Sequence, residues 1–240
     1  MNPNRLVAHR GYQARYPENT LLAHRQAIAA GALFLETDIQ FSADMQPILY
    51  HDLDLKRVSA ERGKTIDHSL QSLERFSAFE PGRLGRQFID EKISPLSALV
   101  AELALHPAIT AYIEVKEEAI RFAGIETAYT AISQCLNPAA AQCCLISFDY
   151  DFILHARNAG WGRCGVVIKK WRDLRLPVIQ AIEPESIFCN YKNIPRKAVL
   201  NALDTELVIY EIADAAKATQ WLERGAAKIE TFDIGLMLRA

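Results

Sequence analysis

The chain is expected to fold as an α/β protein: a (β/α)8 TIM barrel built from residues 1–240 as one domain, with a small insertion at 53–94. Three observations lead there. Eight short apolar runs alternate with helical patterns or long connections, the rhythm of parallel βα units. A length of 240 residues is routine for one such barrel. Residues with chemical capacity gather at the ends of strand-like runs, where a parallel barrel places its site. An open doubly wound sheet is the alternative architecture, but no G-x-G-x-x-G follows the first strand to support its dinucleotide-binding form.

Leu6-Val7-Ala8 is the first strand, running into His9-Arg10-Gly11, where Gly11 marks a turn. Asn19 or Thr20 can cap a helix in which Leu21, Leu22, Ala27 and Ile28 recur at helical spacing, and Gly31 stops it. The next strand starts near Leu33 and carries Glu36 and Asp38 among Phe34, Leu35 and Ile39. Asp44-Met45-Gln46-Pro47 is a turn, and the short run to Tyr50 reads as a hairpin-like extension that returns His51 toward Glu36. Residues 53–94 are more polar, with weak periodicity, and read as an insertion packed over one end of the core. A helix opens at Pro95 and runs to Leu105. Beyond it, strands are expected at 111–115, 143–147, 164–168, 186–189, 206–210 and 227–231. Helices are expected at 118–134, 149–158, 195–203 and 214–224, while 171–182 fits neither pattern.

Composition narrows the function. Lys and Arg number 27 against 29 Asp and Glu, a net charge of −2 with no basic run, so nucleic acid is not the expected partner. The five cysteines (Cys135, Cys143, Cys144, Cys164, Cys189) are odd in number and form no C-x-x-C pair, which suits reduced thiols acting as small core residues. There is no apolar signal region and no long apolar span, so a soluble, cytoplasmic protein without a transmembrane segment is expected.

The chemistry centres on Glu36 and Asp38. Their i, i+2 spacing puts both carboxylates on one face of a strand. Two acids in an apolar strand repel each other and lose hydration unless a positive charge compensates. Glu114 and Lys116 repeat the spacing at the end of the next parallel strand. Three carboxylates without Cys or paired-His ligand spacing suit Mg²⁺ or Ca²⁺. Arg10 has the fork geometry for a phosphate, and Lys116 adds a compact positive charge. His9 and His51 can serve as general acid and base. Together these residues suit metal-assisted attack on a phosphodiester.

The motifs resemble those of the glycerophosphodiester phosphodiesterase family: Ala8-His9-Arg10-Gly11, Pro17-Glu18-Asn19-Thr20, Glu36-Thr37-Asp38, Asp44-Met45-Gln46-Pro47 leading to His51-Asp52, Ile113-Glu114-Val115-Lys116 and, more weakly, Ser147-Phe148. They run in order over the first two thirds of the chain. The resemblance implies a (β/α)8 barrel with an insertion after the His-Asp motif. It implies metal ligation by Glu36, Asp38 and Glu114, acid/base roles for His9 and His51, and phosphate contacts from Arg10 and Lys116. It also implies a small-molecule glycerophosphodiester as substrate, cleaved to sn-glycerol 3-phosphate and an alcohol. The C-terminal third departs from the family pattern: Ala213 replaces a usual Asn, and aspartates are missing at Ala227 and Phe232. These changes bear on recognition of the alcohol or the glycerol.

Other readings stand beside this one. Glu18 and Asn19 suit supporting the ligating residues from behind or shaping a turn, and Asp52 suits orienting a neighbour. Lys169-Lys170-Trp171-Arg172 could contact a phosphate or, through Trp171, a choline-like group, or could be a solvated helix start with one buried Trp. His24, His68, His106 and His155 suit surface or packing roles. The rival functions are a lysophospholipase D, or another phosphodiesterase with a different alcohol, and a non-catalytic phosphate-ester binding protein.

Overall fold

The computed structural model describes all residues, Met1–Ala240. Eight parallel strands form a nearly closed barrel: β1 (Leu6–Ala8), β2 (Phe34–Phe41), β4 (Thr110–Val115), β5 (Cys143–Ile146), β6 (Gly165–Ile168), β7 (Ser186–Asn190), β8 (Glu206–Tyr210) and β9 (Lys228–Thr231). A ninth strand, β3 (Pro47–Leu49), pairs antiparallel with β2. The order around the barrel is β5-β4-β2-β1-β9-β8-β7-β6. Between β5 and β6 the seam is held by the Leu145–Cys164 bridge and by Val167 N–H donating to the Ser147 carbonyl at 2.9 Å.

Strand alternation sorts the side chains. Outward residues such as Leu35, Ile113 and Ile209 join the apolar layer beneath the helices. Inward residues Val7, Tyr112, Cys144, Val167, Phe188 and Val208 fill the barrel, with the Tyr112 and Phe188 rings edge-on at 4.9 Å. This plug closes the N-terminal end and leaves the polar inward residues at the opposite mouth. Four cysteines are buried, Cys135 is half-buried, and all five are free.

Helix α1 (Leu21–Ala29) is capped by Thr20, whose Oγ1 accepts the Ala23 N–H at 3.1 Å. Residues 53–94 hold the short helices α2 (Lys56–Ser59), α3 (Leu70–Leu73) and α4 (Pro81–Leu84), with Leu55, Val58, Leu73 and Ile93 in a separate apolar cluster that also takes in Ile48 and Tyr50. The long helix α5 (Leu96–Leu105) follows. The expected helix at 118–134 is two helices, α6 (Glu117–Ala123) and α7 (Ile125–Leu136), because Gly124 at φ 77° breaks the run between them. Next come α8 (Tyr150–Asn158) and, within 171–182, a 3₁₀ turn at Trp171–Arg175 followed by α9 (Pro177–Ile182).

The helix expected at 195–203 does not form; only 3₁₀ turns at Tyr191–Asn193 and Leu200–Ala202 occupy the β7–β8 connection. Arg224 donates to the carbonyls of Pro195 (2.5 Å), Arg196 (2.9 Å) and Ala198 (3.3 Å), acceptors that a helix would need for its own N–H groups. Helix α10 (Ala215–Glu223) matches its expected position, and a further helix, α11 (Ile234–Arg239), follows β9. No helix is long and apolar enough to cross a membrane.

Candidate active site

The turn after β1 sets the first two residues. Arg10 and Gly11 both adopt left-handed backbone, at φ 55° and 79°. A Cβ at Gly11 would lie 2.6 Å from the Ala23 carbonyl carbon, so only glycine lets this turn press onto α1. The Arg10 backbone N–H then points at Glu36 and donates to Oε2 at 3.0 Å. His9 Nε2 lies 3.8 Å from the same oxygen.

Glu36 and Asp38 are 2% and 1% exposed, side by side on the inner face of β2. Parallel pairing sets Asp38 level with Glu114 on β4. Oxygens of Glu36, Asp38 and Glu114 lie within 4.8 Å of one another. Asn19 fixes Asp38: its Nδ2 donates to Asp38 Oδ2 at 2.9 Å, while its Oδ1 accepts from the Asp38 N–H (3.0 Å) and Thr37 Oγ1 (2.8 Å). The left-handed backbone of Asn19, φ 54°, suits this residue type. Of the two expected caps for α1, Thr20 caps the helix and Asn19 serves the acids.

Two cations stand against the triad. Arg10 Nε is 2.9 Å from Asp38 Oδ2, and Lys116 Nζ is 2.7 Å from Glu114 Oε1 and 3.3 Å from Asp38 Oδ1. Burial raises the proton affinity of Asp38, but Arg10 and Lys116 outweigh it and hold this carboxyl well below the usual range. Glu36 goes the other way: burial, then repulsion from Asp38, Glu230 and Glu114, pushes it well up. Burial also pushes Glu114 up, against the pull of Lys116. An oxygen-only set in which two carboxyls resist ionisation, and in which Glu36 Oε1 is buried without a hydrogen-bond partner, fits a hard divalent cation.

The hairpin expected from the sequence is present. β3 pairs with β2 in the register Ile39–Leu49, and Tyr50 N–H donates to the Asp38 carbonyl at 3.0 Å. Gln40 Nε2 donates to the His51 carbonyl at 3.0 Å, fixing that backbone. His51 Nδ1 lies 2.6 Å from Asp52 Oδ1, and Arg57 clasps Asp52 at 2.7 and 2.9 Å. Burial works to raise Asp52, yet these bonds hold it well below the usual carboxylate range. Arg57 also donates to Glu18 at 2.6 and 3.0 Å, and Arg10 Nη1 reaches Glu18 at 3.0 Å.

A cavity of about 400 Å³ opens at the mouth. Its walls include His9, Arg10, His51, Glu114 and Lys116, together with Phe148, Phe188, Asn190, Tyr210, Glu211 and Glu230. Burial and the adjacent Arg10 hold His9 well below the usual imidazole range, so it stands neutral. All ten residues singled out in the sequence (His9, Arg10, Glu18, Asn19, Glu36, Asp38, His51, Asp52, Glu114, Lys116) meet around this cavity or brace it. Trp171 does not: it packs on the apolar layer under the helices, and Lys169 is committed to Glu117 at 2.6 Å. Aromatic surface in the cavity comes from Phe148, Phe188 and Tyr210 instead.

Three contributors lacked a motif in the sequence. Arg57 and Glu80 sit in the weakly patterned 53–94 stretch, where Glu80 accepts the Glu18 N–H at 2.7 Å and binds Arg83. Glu230, 3% exposed on β9, lies two residues from Lys228 in the strand Lys228-Ile229-Glu230-Thr231, the same i, i+2 spacing that relates Glu36 and Asp38. Phe232 lies tilted against His9, with ring centroids 5.0 Å apart, where the family pattern has an aspartate.

Fold and site define a parallel α/β barrel with an oxygen-rich cluster of carboxylates at the carboxyl ends of its strands. The profile of the Glycerophosphoryl diester phosphodiesterase family matches residues 9–210, and the chain belongs to that family. Glycerophosphodiester phosphodiesterase 1 of Mus musculus is 35% identical over 132 residues, 55% of this chain and 40% of that protein. A glycerophosphodiester phosphodiesterase of Bacillus altitudinis is 32% identical over 126 residues, 51% of this chain and 49% of that one. The chain thus spans less than half the length of these curated relatives. Among solved structures, an Oleispira antarctica phosphodiesterase in complex with the product sn-glycerol-3-phosphate has a TM-score of 0.84 at 19% identity, covering 98% of this chain and 95% of that one. A glycerophosphodiester phosphodiesterase from Agrobacterium tumefaciens gives 0.79 at 20% identity, covering 99% of this chain and 100% of that one.

Proposed function

We propose that the chain hydrolyses glycerophosphodiesters to sn-glycerol 3-phosphate and an alcohol, with a divalent cation, Mg²⁺ or Ca²⁺, held by Glu36, Asp38 and Glu114. One observation carries this reading: His9 and His51 open onto the same cavity as Glu114, Arg10 and Lys116, with Glu36 and Asp38 buried against them. The family match and the glycerol-phosphate-bound neighbour point to the same chemistry.

The bound cation would supply Lewis-acid stabilisation of charge on the phosphoryl oxygens. The remaining work falls to the chain's own side chains. Arg10 and Lys116 add fixed positive charge for the growing negative charge of the phosphorane. Neutral His9 can take a proton from the nucleophile, either water or the substrate's glycerol 2-hydroxyl. With His51 Nδ1 engaged by Asp52, Nε2 is the atom left to hand a proton to the departing alkoxide. Asp52, Arg57 and Glu18 fix that ring, so they act as positioning residues.

The test is release of glycerol 3-phosphate from glycerophosphocholine with Mg²⁺ or Ca²⁺. His9→Ala and His51→Ala should each lower kcat by on the order of 100-fold or more, and EDTA should abolish turnover. Undiminished activity in EDTA, or in the double variant, overturns the mechanism. A deoxy substrate lacking the 2-hydroxyl separates the nucleophiles, since full turnover excludes the cyclic route.

A further inference from the structure

Glu230 has no part in the hydrolysis described above, yet it is buried beside the site. It faces into the barrel from β9, level with Val7 of β1. Its Oε1 is buried and has no hydrogen-bond partner, and the same holds for Glu36 Oε1 and His9 Nδ1. These three residues come from β9, β2 and the end of β1, three consecutive positions around the barrel. Ligand atoms of all three lie within 4.8 Å of one another. A buried donor or acceptor left without a partner is destabilising, more so when charged, so three together call for a shared partner.

No cation of the protein serves that role. Arg10 is committed to Glu18 and Asp38, and Lys116 to Asp38 and Glu114. Lys228, on the same face of β9, is bonded to Glu206. We propose that His9, Glu36 and Glu230 form an inner site for a second divalent cation, with Glu36 shared between it and the outer Glu36–Asp38–Glu114 set. One imidazole with two carboxylates suits an ion such as Mn²⁺ better than Ca²⁺, which favours oxygen alone.

The inner site has a consequence for turnover, and this part rests on the proposed base role of His9. An imidazole that gives one nitrogen to a cation keeps its single proton on the other and can accept no second proton. Filling the inner site therefore removes the base. Mn²⁺ activates through the outer site at low concentration and inhibits through the inner site at high concentration.

The experiment titrates cation-stripped protein with Mn²⁺, reading bound ion by equilibrium dialysis and electron paramagnetic resonance. Wild type should bind two Mn²⁺ per chain, with the bound-ion signal broadened as two ions sharing one carboxylate couple. Glu230→Gln and Glu230→Leu, each checked for native circular dichroism, should bind one. In wild type the second equivalent should slow turnover by on the order of 100-fold, and in Glu230→Gln this inhibitory phase should be absent. A single Mn²⁺ per wild-type chain at saturation, or two in both variants, overturns the site; protons on Glu36 and Glu230 would then satisfy the orphaned oxygens. Two ions bound without inhibition uphold the inner site and instead overturn the assignment of His9 as base.

Discussion

Removing the charge of Glu36 should stabilise the cation-free protein while destroying its affinity for cation. Glu36 is 2% exposed, and its only hydrogen bond is the Arg10 N–H on Oε2; Oε1 has none. Burial first, then Asp38, Glu230 and Glu114, raises its pKa in the folded state. A carboxyl raised on folding carries no penalty below its unfolded pKa of about 4.5, and the penalty grows as pH rises above that value. In EDTA at pH 7.5, Glu36→Gln removes this repulsion and keeps an oxygen for the Arg10 N–H. Neutralising an uncompensated buried charge should gain about 2 kcal/mol. For a chain of this size about 1 kcal/mol moves Tm by roughly 2 °C, so the variant should melt about 4 °C higher. Adding Ca²⁺ at about 100 times Kd should stabilise wild type by about 2.7 kcal/mol, reversing the order, because the variant has lost a ligand. Thermal unfolding followed by circular dichroism at pH 4.5 and 7.5, with EDTA or Ca²⁺, reads all of this. A variant less stable than wild type in EDTA at pH 7.5, or an equal gain at both pH values, would refute the reasoning.

Other substitutions probe the supports of the site. Asn19→Ala strands the Asp38 N–H and the Thr37 hydroxyl and frees the Asp38 carboxylate; Ca²⁺ affinity measured by calorimetry should fall about 10- to 100-fold. Gly11→Ala must place a Cβ 2.6 Å from the Ala23 carbonyl carbon at φ 79°, so urea unfolding should show a loss of about 3 kcal/mol. His24 is fully buried with neither ring nitrogen bonded, and burial pushes it down to about 4. Its unfolded pKa is near 6.5, so the unfolded chain takes up a proton first and stability drains as pH falls from about 6.5 toward 4. Wild type should lose about 2 kcal/mol more than His24→Met between pH 7.5 and 5; equal losses would show that the ring is hydrated or paired in solution.

The i, i+2 acids of β2 were legible because a strand's two-residue period fixes the facing of side chains whatever surrounds it. The same period exposes Glu230 beside Lys228, but β9 has only four residues, Lys228–Thr231, too few for the polar pair to stand out in an apolar run. Helix 195–203 failed for a long-range reason. Local propensity favoured it, but Arg224, 29 residues beyond Pro195, takes three of its carbonyls. Gly124 is different, since a single glycine inside a helical pattern signals a break only when its backbone goes left-handed, as it does here. Trp171 was ambiguous in the sequence because strand-end position says which face of the barrel a residue lies on, and not whether its ring turns to cavity or core.

His51 is also joined electrostatically to the acid triad through the segment 53–94. From the cavity inward the charges alternate: His51 on Asp52, Asp52 on Arg57, Arg57 on Glu18, Glu18 on Arg10, Arg10 on Asp38, Asp38 on Lys116, Lys116 on Glu114. Arg57 is the one link contributed by α2, and Glu80, from the same segment, fixes the Glu18 backbone. Glu18 is 2% exposed, so losing Arg57 would leave a buried carboxylate short of its partner and draw Arg10 away from Asp38. A helix outside the barrel therefore bears on the charge that any cation meets at Asp38. This gives the polar, weakly patterned stretch a physical reason to carry arginines and acids where a simple cover over the barrel mouth would need only apolar contacts.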